Sequence, residues 1–370
     1  MSGKLNFDAA VLGGGASGTC LCWYLMKAGM RVALVNKQSD ETTSTLKAAL
    51  INPVSAKQLN LNWEAEKSLD EFIRLIKESN ADECMLNQNG ILRPITDQHL
   101  YDSVQNNLKG HTWPDNWFSK VGKEDLKNRI PELCQNYGGL EILVGSTLKP
   151  APFLAHLQQQ LVSNGMRIFE SNDYRIEKQK NSAVIYLEDD QKIRCDRLVF
   201  ATGSHLTQSP LWSSLPIYKI KGQTAEFTVS EPITWKQPII GDGYIIPLNP
   251  TTLMLGGTHG LHFNDAEPDQ QASTKLYEKF QTMLPELAEH AQLKSQWAGI
   301  GVTTPNRLPF IGDHPRNKCY YIFGGLGPKG LLLAPYTAKL AAGNIANKYP
   351  LPDELNAERH WSKLRRLGKI

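Results

Sequence analysis

The stretch Phe7-Asp8-Ala9-Ala10-Val11-Leu12-Gly13-Gly14-Gly15-Ala16-Ser17-Gly18 constrains this chain more than any other. Its apolar run reads as a buried parallel strand that breaks at Gly13, and glycines 13, 15 and 18 fit G-x-G-x-x-G. Thr19 to Gly29 then has helical spacing (Leu21, Tyr24, Leu25, Ala28), and Arg31 to Val35 supplies a second strand. This is a βαβ unit of the length the motif requires. Gly13 suits the tight turn, Gly15 lets backbone approach a pyrophosphate, and Gly18 lets helix and strand pack closely. With Ala16 and Ser17 they form a helix start whose free N–H groups and dipole favour phosphate. An ordinary glycine-rich turn is the bland alternative, but the flanking strands and helix favour a nucleotide. Asn36 stands where an acidic residue normally accepts from ribose hydroxyls; its carbonyl oxygen can still accept, without the charge.

A chain of 370 residues suggests two domains, here interleaved. No apolar run reaches the length of a membrane span and no secretory leader pattern opens the chain, so the sequence reads as cytosolic. A net charge of +3 is too small to argue for nucleic acid. Locally, Lys363, Arg365, Arg366 and Lys369 around Trp361 make a basic end, ordinarily a solvated helix end. Cysteines 20, 22, 84, 134, 195 and 319 show no C-x-x-C and read as buried reduced thiols. His259-x-x-His262 lacks companions, so no metal is expected.

Along the chain, Ser39 to Thr45 is a Ser/Thr-rich loop following the second strand, where hydroxyls, with Lys37, could reach phosphate oxygens; a solvated turn is the alternative. Small residues follow at Ala48 and Ala49, suited to packing on a flat ligand. Trp63 to Lys77 and Pro152 to Asn164 have helical apolar faces, Gly90 to Arg93 and Arg167 to Glu170 read as strands, and Pro131-Glu132-Leu133 reads as a helix start. Ala183–Leu187 with Lys192–Cys195 resembles a hairpin, and Asp196 to Phe200 is a further buried strand ending on Ala201-Thr202-Gly203. From Ile217 to about Leu261 the chain is strand-rich, with a helix from Thr274 to Leu284. A strand at Tyr320–Phe323 then leads into a second glycine-rich turn, Gly324 to Gly330, and a long helix from about Leu331 to Asn347.

Taken in order, several of these residues resemble the D-amino-acid oxidase-like FAD oxidoreductases, which include glycine and sarcosine oxidases. The resemblance rests on Gly13-x-Gly15-x-x-Gly18, Ala201-Thr202-Gly203, Lys221-Gly222-Gln223 and Gly243-Tyr244-Ile245-x-Pro247, then Arg307 to Gly312 and Gly325 to Gly330. It implies an α/β fold (α+β overall): a Rossmann-like FAD-binding domain from residues 1–85, 140–210 and 300–370. An interleaved antiparallel-sheet substrate domain would come from 86–139 and 211–299. It also implies hydride transfer from a carbon next to nitrogen to flavin, reoxidation by oxygen, and hydrolysis of the imine in water. The cofactor contacts implied include Thr43, Ser44, Gly325, Gly327, Gly330 and Leu331. Lys329 would stabilise negative charge on the reduced ring, and Tyr244 would contact a substrate carboxylate. Gly325 to Leu331 with Ala334-Pro335, and the basic end, look most like the flavin domain of the bifunctional enzyme making 5-methylaminomethyl-2-thiouridine in tRNA.

Two departures qualify the resemblance. The arginine that grips the substrate carboxylate in glycine oxidases falls at Gly301. Either Lys329, Arg307 or Lys221 substitutes, or the substrate is not an α-amino acid. No cysteine lies near Gly299, where sarcosine oxidases attach flavin, so non-covalent FAD is expected. The leading reading is an oxidase of a glycine-like or N-substituted amine. A tRNA wobble-uridine oxidoreductase without its methyltransferase half is one alternative, and a catalytically weak flavin-binding protein is another. Flavin disulfide reductases are set aside, because no C-x-x-x-x-C pair exists.

Overall fold

A computed structural model describes residues 5–37, 42–55, 59–82, 85–109, 113–133 and 137–368; Cys84, Cys134, Lys369 and residues 39–41 of the Ser/Thr-rich loop lie outside them. The opening apolar run forms the strand Leu5–Leu12, flanked on both edges by parallel partners. Val32–Asn36 pairs on one side and Lys192–Phe200 on the other; Arg167–Glu170 and Asn317–Gly324 extend the parallel set. Ala9, Ala10, Val11 and Leu12 are wholly buried, as a strand covered on both faces must be. From residue 9 to 12 successive residues alternate between two cores: Ala9 and Val11 enter one, Ala10 and Leu12 the other. Helices Ala65–Glu78 and Ala16–Lys27 both pack on the last long helix, Gly330–Asn347, beside the first of these cores.

Two local expectations are corrected. The segments expected as a hairpin strand and a separate buried strand are one element, Lys192–Phe200. Its first half pairs antiparallel with Ala183–Leu187 and its second half parallel with Asn317–Gly324. Pro131 does not start a helix: it lies in a turn just past the helix Lys123–Arg129, whose acidic first turn and basic last turn suit the helix dipole.

The second large sheet takes its strands from 91–142 and 218–303. Its order is Gln292–Thr303, Tyr218–Thr228, Thr252–Gly256, Gly243–Asn249, Ile239–Gly241, Ile91–Pro94, Gly139–Ile142, Phe118–Val121. Every pairing is antiparallel except Ile239–Gly241 with Ile91–Pro94. Period-two alternation gives it two apolar faces. Leu92, Ile239, Ile245, Leu253 and Leu255 pack with Leu276 and Phe280 of the helix Gln270–Met283. Ile91 and Ile240 face the core shared with the first sheet, while Ile246 and Met254 close over Ala48. This second face is turned toward the nucleotide-type fold. Among the described residues no helix is long and apolar enough to cross a membrane.

Candidate active site

At the carboxyl ends of the parallel strands lies a cavity of about 680 Å³. Its wall includes Gly13, Gly15, Ala16, Ser17, Asn36, Lys37, Thr43, Ser44, Ala201, Thr202, Gly203, Gly325, Gly327 and Gly330, all singled out from the sequence. At two positions of the first loop glycine is a steric necessity. Gly13 has φ +100°, and a Cβ on it would lie 2.5 Å from the Ala201 carbonyl oxygen. A Cβ on Gly18 would lie 1.9 Å from the Gly13 oxygen; Gly18 is thus a packing residue behind the wall. Helix Ala16–Lys27 begins on Gly15 with no side-chain cap and no acidic residue in its first turn. Its leading N–H groups therefore face the cavity without a protein acceptor, the arrangement a diphosphate needs.

Asn36 does something other than expected. Its Oδ1 accepts the Gly14 N–H at 2.9 Å, so the carbonyl oxygen holds the glycine loop rather than standing free for a ribose. Its Nδ2 points at the Glu170 carboxylate, 3.3 and 3.4 Å away, on the neighbouring parallel strand. Glu170 was not singled out from the sequence; only strand pairing across 134 residues places it here. Gln158 completes the support, donating to the Gly14 carbonyl and to Thr19 Oγ1, both at 2.9 Å.

The opposite end of the cavity is where the two sheets meet. Thr42 bridges Ile300, and the Trp297 indole donates to Thr45 Oγ1 at 3.0 Å. Gly301 lines the cavity here, and a Cβ on it would rest 3.3 Å from the Thr43 methyl. Ala48 lies outside the wall, packed on Ile246 and Met254, and Leu331 packs on the main core. Ala49 begins the short strand Ala49–Ile51.

Lys329 ends the short turn Gly327–Lys329, between wall residues Gly327 and Gly330. Its ammonium donates to Asn62 Oδ1, a neutral acceptor, and burial followed by the nearby Arg307 charge brings its pKa down to about 8. Asn62 was missed by the sequence reading. Its loop holds it through its N–H to the Pro53 carbonyl and its Nδ2 to the Asn52 carbonyl, each 2.9 Å.

Tyr244, on the second sheet, has no hydrogen bond at its hydroxyl among the described residues, and burial keeps the phenol protonated. Directly opposite is Gly256, where a Cβ would fall 2.1 Å from Tyr244 Cζ. The ring therefore occupies the space a side chain at 256 would take. Lys221 corrects the expectation that it could grip a substrate. It is 4% exposed, and its ammonium lies 3.3 Å from Asp265 and 3.7 Å from Asp269, which already claim its charge. Asp269 in turn caps the helix Gln270–Met283, so Lys221 anchors a loop. Arg307 is exposed in a left-handed conformation, φ +59°. It acts on Lys329 and His259 through its charge, and with burial ahead of it lowers the His259 pKa. No group of three potential metal ligands occurs among the described residues.

Comparison with known proteins places this geometry. Residues 8–343 match the family described as FAD dependent oxidoreductase, DAO. Across 99% of this chain and 98% of the relative, the sequence is 22% identical to a glycine oxidase of Geobacillus kaustophilus. It is 24% identical over 68% of its length to the tRNA 5-methylaminomethyl-2-thiouridine biosynthesis bifunctional protein MnmC of Aeromonas hydrophila, of which it spans 43%. The crystal structure of iminodiacetate oxidase from Chelativorans sp. BNC1 superposes with a TM-score of 0.81 at 17% identity, covering 94% of this chain and 98% of that one. At that identity the superposition shows the fold.

Proposed function

This chain belongs to the DAO family of FAD-dependent oxidoreductases, and we propose that it oxidises the carbon–nitrogen bond of an amino acid or N-substituted glycine. FAD, when bound without a covalent link, supplies the acceptor for the hydride leaving the carbon next to nitrogen. The cradle suits it. The uncapped helix start and glycine loop take the diphosphate, the Glu170 carboxylate held beside Asn36 is left to accept from ribose hydroxyls, and Gly325 to Gly330 borders the other end.

The observation that carries the reading is Lys329. A half-buried cation whose acceptor is a neutral amide has charge to spare for something else. Set at a helix start beside the cavity, it stabilises negative charge that develops there during reduction. Tyr244 offers its hydroxyl to orient the substrate. Imine hydrolysis in water needs no further residue, and no strong base is required if the amine arrives neutral.

The test is product analysis. The FAD-loaded protein is incubated in air with glycine, sarcosine, proline and iminodiacetate, and the oxo-acid and released amine are quantified. Stoichiometric products from one of these support the reading; none from any amine tested removes it. A tRNA substrate is a second reading, favoured by the match to the bifunctional protein and by the exposed Lys363, Arg365 and Arg366 on the helix Glu358–Arg366. It requires tRNA binding that weakens steeply with salt.

A further inference from the structure

The part of the cavity wall made by Thr42, Thr43 and Ser44 is neither strand nor long helix but the short turn Thr43–Thr45 and the residue before it. A helical piece of one turn fixes many dihedral angles for one hydrogen bond, so it needs support from outside. Every side chain on it is a hydroxyl, and Ser44 reaches the first glycine loop: a Cβ on Gly15 would lie 3.3 Å from its Oγ. Whatever holds this turn sets how its hydroxyls stand toward the diphosphate end of the cavity.

Two contacts tie the turn to one strand of the second sheet, Gln292–Thr303: the parallel bridge of Thr42 with Ile300, and the Trp297 indole donating to Thr45 Oγ1. An indole N–H can only donate, and a half-buried one wants an acceptor. The Thr45 hydroxyl is set to be that acceptor, because it spends its own proton on the Thr42 carbonyl at 2.9 Å. What places the ring is the missing side chain at Gly299. A Cβ there would fall 2.5 Å from Trp297 Cζ2 and Cη2 and 3.4 Å from the Thr42 carbonyl oxygen. The six-membered ring therefore lies over the Gly299 backbone, on the face that residues 297 and 299 share, while the nitrogen reaches Thr45. Any side chain at 299 moves the indole.

We propose that Trp297 is a positioning residue for the cofactor: its indole, laid over Gly299, is a strut that sets the Thr43–Thr45 turn against the cavity. The grip on FAD then depends on a strand of the other sheet, 252 residues from the turn in sequence. By linkage, bound FAD holds the turn on that strand as firmly as the strand holds the turn on FAD. The proposal needs the chain to bind FAD, as its family does, and is indifferent to which amine is oxidised.

The test is a double-mutant cycle on FAD affinity, read by titrating FAD into the flavin-free full chain and following flavin fluorescence. Trp297→Phe keeps an apolar ring and removes the N–H; Thr45→Val removes the acceptor at nearly equal volume. We expect each to weaken FAD about tenfold, and the double variant to bind no more weakly than Thr45→Val alone. Thr45→Ser keeps the hydroxyl and is expected to bind as the wild type does. Gly299→Ala leaves both partners in place but displaces the ring, and is expected to lose about the same tenfold. Losses that add in the double variant would mean that the two side chains act separately, which overturns the strut. Wild-type affinity in Trp297→Phe or in Gly299→Ala overturns it as well. If Trp297→Phe does not fold, Gly299→Ala takes its place in the cycle: a loss that vanishes in the Thr45→Val background supports the strut, and one that persists there overturns it. No arm measures turnover, so a chain that oxidises no amine can pass this test and an active oxidase can fail it.

Discussion

The two sheets meet over one ligand surface, and they hold their polar groups in opposite ways. Around the first glycine loop the side chains are committed: Asn36 to Gly14 and Glu170, Gln158 to Gly14 and Thr19. Backbone is what remains open there. Toward the second sheet the reverse holds, for Tyr244 and Arg93 lack partners among the described residues and Lys329 has a neutral acceptor. One region is a rigid mould for a fixed group. On the proposed reading, the other keeps charge unspent for a substrate that comes and goes, at a cost in stability that a rigid scaffold would avoid.

If the first region is a mould, filling it should be ruinous. Gly18→Ala forces a Cβ into the Gly13 carbonyl, backbone against backbone, which costs about 4 kcal/mol or more. The expected outcome is protein recovered with almost no flavin, read from the ratio of visible to ultraviolet absorbance. Substitution in the second region should separate binding from chemistry. Gly256→Ala pushes on the Tyr244 ring, and a displacement of about 1 Å is expected to lower turnover about 100-fold while flavin content stays at the wild-type ratio. Equal loss of flavin in both variants would erase the contrast.

Smaller effects sharpen it. Glu170→Gln removes the charge beside Asn36 and should weaken FAD binding about tenfold, measured by flavin titration of the apoprotein, with the glycine loop intact. The last effect follows from linkage. The Lys329 pKa is 10.5 in the free side chain and about 8 in the fold. Between these values the unfolded chain carries a proton that the folded chain has shed, so stability rises with pH across that window. In the apoprotein Lys329→Met should flatten that rise, a difference of about 1–3 °C in Tm between the ends of the window.

How much of this was legible in the sequence follows the same division. The cradle was, because G-x-G-x-x-G encodes a steric requirement met within a few residues of chain. Asn36 was half legible: its chemistry as an acceptor could be read, but its partner turned out to be the Gly14 N–H. Glu170 was hidden, since only the pairing of Asn36 with Glu170 brings the carboxylate to the amide. Lys221 read as a free cation in Lys221-Gly222-Gln223, whereas Asp265 and Asp269 claim it once the following loop folds back. Arg93 sits in Gly-Ile-Leu-Arg-Pro, which reads as a strand and no more. That its Nε and Nη1 end up buried without a partner is a non-local fact that no local pattern carries.

The central claim is that an amine is oxidised on this surface. The most direct measurement mixes FAD-loaded protein anaerobically with glycine, sarcosine, proline, iminodiacetate and undermodified tRNA in turn, watching the flavin absorbance. The expected result is rapid bleaching by one amine bearing a carboxylate, lost in Gly256→Ala at equal flavin content. A flavin that dithionite bleaches and none of these substrates touches would contradict the account.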